Sequence, residues 1–218
     1  SAAITLDFQS PRAIAFAMLG ADLLLAADAD DTLAGRIARQ GVDRLLALYC
    51  AAARPDWRWF EPVLAYDNCR LPEAMLRVGV RLERTDVITC GLEALRWIND
   101  VQVTASGRYR PVGSDSFGRT YEPPRPFDQQ PLEIWAAIDA ASAAYDVTGD
   151  DVWLAHARRA YDWFAGRNDR GVMVGDPLTG TSRDGINPRG LNLNEGAESV
   201  LAYQHATYAM LEFVKKAG

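Results

Sequence analysis

The sequence predicts an all-α protein of helical hairpins: an α/α-hairpin toroid, (α/α)6-like and incomplete, with about seven helices. Three observations predict it. Apolar residues recur at helical spacing through most of the 218 residues. The segments between them alternate strictly between short and long. Small side chains concentrate in alternate helices, where they let neighbouring helices crowd together.

The first helix covers about 11–27, with Ser10 as N-cap and Pro11 at the first helical position, where its missing N–H costs nothing. The second covers about 32–53 and sets Ile37, Leu45, Leu46 and Tyr49 on one face. The third covers about 70–84, since Pro72 is tolerated only near a helix start. The fourth covers about 86–102 and carries Leu92, Leu95 and Trp97. The fifth, sixth and seventh cover about 130–147, 150–166 and 195–215, and Lys215 and Lys216 favour the dipole in the last turn. Strand signals are confined to short extended pieces at Tyr109–Val112 and Val172–Val174.

The connections Asp28–Asp31, Glu83–Thr85 and Thr148–Gly149 are short, which implies antiparallel hairpins. Those at about 54–69, 103–129 and 167–194 are long. Strict alternation puts every long loop at one end of the molecule. Ala13, Ala15, Ala17 and Gly20, then Ala136, Ala137, Ala140, Ala141, Ala143 and Ala144, mark odd-numbered helices that line the centre. Their N-termini offer free N–H groups and a positive dipole end. A full ring of six hairpins needs more helices than this sequence supplies. The expectation for 1–218 is therefore a single α/α-toroid-like domain, open to being the C-terminal part of a larger one. An exposed apolar face is expected, covered by a second copy or by an upstream domain that completes the toroid.

Composition narrows the function. The net charge of −6 argues against a nucleic-acid surface, and the positive charge is arginine apart from the two terminal-helix lysines. Cys50, Cys69 and Cys90 form no CxxC pair, and His156 and His205 are the only histidines, so neither metal nor cofactor is expected. No apolar run is long enough for a membrane span. No signal peptide is visible, which predicts a cytoplasmic protein; the alternative is a leader removed ahead of Ser1.

Three polar segments carry the candidate chemistry. Trp57–Asn68 combines Trp59, Glu61, Tyr66, Asp67 and Asn68. Sugars need flat apolar surfaces for their C–H faces and carboxylates or amides for their hydroxyls, and this segment supplies both. Phe127–Pro131 carries Asp128 and Gln129; Asn192–Ser199 carries Asn192, Asn194, Glu195 and Glu198. The plainer reading of each is helix capping and core packing. Glu195 and Glu198, three apart, share a helix face, and Gly196 suits a close approach of backbone or ligand. Arg183-Asp184-Gly185 reads first as a turn. Two carboxylates across a cleft are the minimal machinery of glycoside hydrolysis. No GxSxG, phosphate-loop, dinucleotide or HExxH motif occurs.

At these segments the chain resembles the C-terminal, glycosidase-like α/α-toroid domain associated with bacterial glycosyltransferases. The stretches that carry the resemblance are Ser10–Ala13, Trp59–Glu61, Tyr66–Asn68, Phe127–Pro131, Trp163–Asp169, Arg183–Gly185 and Asn194–Ser199. They span almost the whole chain in order. The resemblance implies an α/α toroid and glycan handling, with no assigned catalytic pair.

The leading expectation is a carbohydrate-active, glycoside hydrolase-like domain that acts on or binds an oligosaccharide. Glu61 or Asp67 would oppose Asp128, Asp184 or Glu198 as acid and base. Trp59 and Tyr66 would stack, Gln129 and Asn194 would read hydroxyls, and Asn68, Asn192 and Glu195 would complete the binding set. The alternatives are a non-catalytic glycan-binding module of a glycosyltransferase, and a helical scaffold whose polar loops are only caps.

Overall fold

The computed structural model describes residues 8–218; Ser1, where a leader would have been removed, lies outside them. The protein is all-α, as predicted. Among the described residues the helices are α1 (Pro11–Ala27), α2 (Thr32–Ala52), α3 (Arg70–Arg81), α4 (Thr85–Val101), α5 (Pro131–Thr148), α6 (Val152–Tyr161) and α7 (Ala197–Ala217). The short and long connections fall where the sequence places them. The largest departure is at α6, which stops at Tyr161. From there Trp163, Phe164 and Ala165 each donate to the carbonyl three residues back, and Gly166 turns the chain at φ 94°. No helix among the described residues is long and apolar enough to cross a membrane.

Among the described residues there is one regular ribbon: β1 (Gly185–Asn187) pairs antiparallel with β2 (Gly190–Asn192), Ile186 facing Leu191. It lies away from both extended pieces expected at 109–112 and 172–174. Those pieces make isolated contacts instead: Tyr109 bridges Val103, and the Val174 N–H donates to the Phe164 carbonyl at 2.9 Å.

The chain divides into two compact units. The first comprises residues up to 61 together with 70–97. In it α1 packs on α2 and α3. Ile14, Ala15, Met18, Ala38, Val42 and Leu45 are fully buried. Glycines set the closest approaches: a Cβ on Gly41 would lie 2.3 Å from Met18 Cγ, and one on Gly91 3.1 Å from Leu76 Cγ. The Asp31 carboxylate caps α2 by accepting from the Leu33 and Ala34 N–H groups, both at 2.9 Å. Trp57, Trp59, Phe60 and Trp97 form an aromatic cluster, and the Tyr49 hydroxyl donates to Glu93 at 2.6 Å. α1 leaves Phe16, Leu23 and Leu24 exposed.

The second unit comprises 62–69 and 98–218. There α5 packs against both α6 and α7. Its alanines 136, 137, 140, 141, 143 and 144 are all buried, so the small-residue helix is enclosed on more than one face, as expected of an inner helix. Gly149 at φ 65° ends α5 in the left-handed conformation. Leu201, Tyr208, Leu211 and Val214 form an exposed apolar line on α7.

Glu133, in the first turn of α5, is 1 % exposed. Its carboxylate accepts from the backbone N–H groups of Asp67 and Asn68. Glu133→Ala is expected to lower unfolding free energy by at least about 1–3 kcal/mol, the cost of a stranded buried donor. Glu133→Gln, which keeps one acceptor, should lose less; urea unfolding of the two variants checks both.

Candidate functional site

Gln129 is fully buried just ahead of α5. Its backbone pairs both ways with Ile186 of the ribbon, N–H to carbonyl at 2.9 Å and carbonyl to N–H at 3.0 Å. Its side-chain oxygen accepts from Trp163 Nε1 at 2.7 Å. Its amide nitrogen donates to the Pro126 carbonyl at 2.8 Å and to Asp169 Oδ2 at 2.6 Å. Arg110 holds Asp169 bidentately at 2.6 and 2.7 Å. Burial alone would raise the Asp169 pKa; the hydrogen bonds from Arg110 and Gln129 and the nearby arginine charges outweigh it and hold the carboxyl below its usual range.

This framework places the ribbon beside the start of α5 and shapes a cleft of about 350 Å³. Asp128, Gln130, Asp184, Asn187, Asn192 and Glu198 are among the residues lining it. Two of the three polar segments, Phe127–Pro131 and Asn192–Ser199, therefore meet, and the ribbon joins them. Two glycines permit the approach. Gly185 sits at φ 138°, and a Cβ there would fall 2.0 Å from the Gln129 carbonyl oxygen. A Cβ on Gly196 would lie 2.9 Å from Asp184 Oδ1.

The three acids of the cleft differ. Asp184 is engaged: it accepts from the Asn194 side chain and from the Gly196 N–H at 2.7 Å. The Asn194 bond first, then Gly196 and Ser199, hold its carboxyl below the usual range, while burial acts the other way. It caps α7 from a distance, because Gly196 at the N-cap has no side chain to do so. Asp128 and Glu198 are exposed, and among the described residues their carboxylates have no hydrogen-bond partner. Neither caps its helix: the N-cap of α5 is Gln130 and that of α7 is Gly196.

The other sequence-derived candidates stand as follows. Glu61 pairs with buried Arg12, and Trp59 is fully buried in the aromatic cluster of the first unit. In the second unit Tyr66 is 45 % exposed, while Asp67 and Asn68 are buried and held by Glu133; none of the three lines the cleft. Asn68 also closes a local turn with Ala65. Asn192 lines the cleft and accepts from the Asn194 N–H at 3.1 Å. Glu195 is paired with Arg183 at 3.0 Å. Gln129 and Asn194, expected to read hydroxyls, are bonded within the protein. Sequence reasoning missed Asn187 and Gln130 as lining residues, and Asp169 and Trp163 as the partners of Gln129. The run Gly185-Ile-Asn-Pro-Arg-Gly190 was the available signal: turn residues between apolar ones mark a hairpin, and Asn187 Oδ1 accepts from the Arg189 and Gly190 N–H groups.

No group of three or more His, Cys, Asp or Glu among the described residues is placed to hold a metal ion. No protein-family model matches the chain, and no curated protein matches it.

Two predictions follow from the framework. Gly185→Ala combines a backbone conformation foreign to alanine with a steric overlap on Gln129, so it should destabilise the protein by more than about 1–3 kcal/mol in a thermal or urea melt. For Asp169, a folded pKa below the unfolded value means stability that is present above about pH 4 and lost as pH falls through the folded pKa. The stability gap between the wild type and Asp169→Asn should thus be full at neutral pH and shrink below about pH 4.

Proposed function

We propose that the cleft between the start of α5, the ribbon and the start of α7 binds an oligosaccharide, with Asp128 and Glu198 as its working carboxylates. One observation carries this reading. Two unpartnered carboxylates and the amides of Gln130, Asn187 and Asn192 line one cleft from segments distant in sequence. Its volume lies in the range of small-molecule sites. Amides and carboxylates are the groups that pair with sugar hydroxyls, and two carboxylates are what glycoside hydrolysis requires. In a hydrolytic reading one of the pair protonates the leaving oxygen and the other serves as base or nucleophile. Asp184, committed to Asn194 and Gly196, positions α7 instead.

One feature, a lining without an aromatic ring, supports the alternative of a helical scaffold whose polar loops are only caps; a non-catalytic glycan-binding module attached to or serving a glycosyltransferase would share the hydrolase's geometry. Screening wild type, Asp128→Asn and Glu198→Gln on a panel of soluble oligosaccharides separates the readings. If the protein is a hydrolase, each variant should lose about 100-fold or more in turnover while still binding. Binding by the wild type without turnover supports the accessory module. If Asp128→Ala and Glu198→Ala leave binding and turnover of a responsive oligosaccharide unchanged, the cleft is not the site.

Two coarser expectations belong to the same proposal. Three free cysteines, with Cys50 exposed, support a reducing, cytoplasmic setting. The exposed apolar line on α7 supports self-association with a second copy, so light scattering should report a dimer or larger assembly, and a clean monomer counts against it.

A further inference from the structure

The second unit contains another cavity, of about 460 Å³, with a different chemistry. Arg108, Arg158, Arg159 and Arg167 line it, together with Asp151 and Asp162. Arg167 is matched to Asp162 at 3.4 Å. The other three guanidinium groups have no carboxylate partner among the described residues. Arg108 donates to the Asn168 carbonyl at 3.3 Å, Arg159 contacts His156 Nδ1 at 3.1 Å, and the Arg158 guanidinium has no hydrogen-bond or ion-pair partner among the described residues. Elsewhere Arg12, Arg81, Arg84 and Arg110 hold carboxylates, whereas these three share one concave wall without any. His156, next to Arg159, has its pKa lowered, first by burial and then by the arginine charge. Leu154, Ala155 and Ala217 add apolar surface to the same cavity.

We propose that this cavity binds the phosphate group of a small soluble phosphate ester. Guanidinium groups present paired N–H donors that match phosphate oxygens, and a concave wall concentrates their charge. The apolar residues and the volume leave room for the organic part of the ester. The proposal stands apart from the oligosaccharide cleft and shares no residue with it.

The test uses glucose 6-phosphate as the probe, with glucose as the neutral control and a short single-stranded RNA as a polyanion. Amide chemical shifts are followed in isotopically labelled protein. Glucose 6-phosphate should move the signals of Gly107, Arg108, Ala155 and Arg158, and glucose should leave them in place. Arg158→Gln with Arg159→Gln should weaken binding at least about tenfold, the effect of one lost charge-assisted contact. Arg119→Gln, which lies outside the cavity, should not, and circular dichroism should show all variants folded. Absence of shifts up to about 10 mM probe overturns the proposal. So does unchanged affinity in the double variant, or RNA binding through the same residues more tightly than the ester.

Discussion

The buried amide of Gln129 is the constraint on which the second unit's polar architecture depends. A primary amide taken out of water must satisfy two donors and an acceptor, or lose a large part of its solvation energy. Here Asp169, the Pro126 carbonyl and Trp163 Nε1 satisfy it, and the backbone on either side of the same residue pairs with Ile186. One residue thereby fixes the segment after α6, the ribbon and the entry to α5. Because the backbone is extended at this point, its neighbours turn the other way. Gln129 is inside, while Asp128 is exposed and Gln130 half-exposed, and both line the cleft. The residue that looks most like a ligand reader in the sequence is the one whose internal bonds hold its neighbours at the cleft.

The acids divide by the same logic. Glu133, Asp169 and Asp184 each accept protein N–H groups that would otherwise be stranded near helix starts or loop crossings. Asp128 and Glu198 do nothing of the kind. These five acids thus divide into two groups: carboxylates that hold N–H groups of distant segments, and carboxylates left facing solvent in a cleft. Distance along the chain does not distinguish them; the partners do.

The helices were legible because their signal is long. A period sustained over three or more turns, Pro11 at the first position of α1, and the alternation of short and long connections all agree, and the ends are misjudged only by a few residues. α6 is the exception, since Trp163 and Phe164 continue the apolar period while the backbone has already tightened into three-residue bonds. The ribbon was not legible from alternation, because three residues per strand are too few to show it. For the site, Asp128 and Glu198 could be picked out from their place ahead of and within the first turns of apolar helices. Gln129 and Asn194 share that placement, and Trp59 lies in a comparably polar segment, yet they are bonded or packed internally. Local composition describes what a side chain can pair with, and only the fold decides which pairs are made inside. The link from Asp169 to Gln129 spans 40 residues, beyond any local pattern.

The make-up of the cleft also bears on how a sugar would be held there. Its lining supplies hydroxyl partners without an aromatic ring for the C–H face. Polar contacts to a hydroxyl replace contacts to water and contribute little net affinity each, whereas burial of a flat apolar face gains from solvent release. Recognition by edges alone therefore favours selectivity over tightness. Weak holding suits two situations. In one, the ligand is kept near by a tether or a neighbouring domain, and effective concentration substitutes for affinity. In the other, the interactions are strongest only in a transition state, and tight ground-state binding would bring no gain in rate. The same geometry thus accommodates the accessory and the hydrolytic reading. What divides them is whether the unpartnered carboxylates of Asp128 and Glu198 meet a sugar from opposite sides of one glycosidic bond or read separate hydroxyls along its edge.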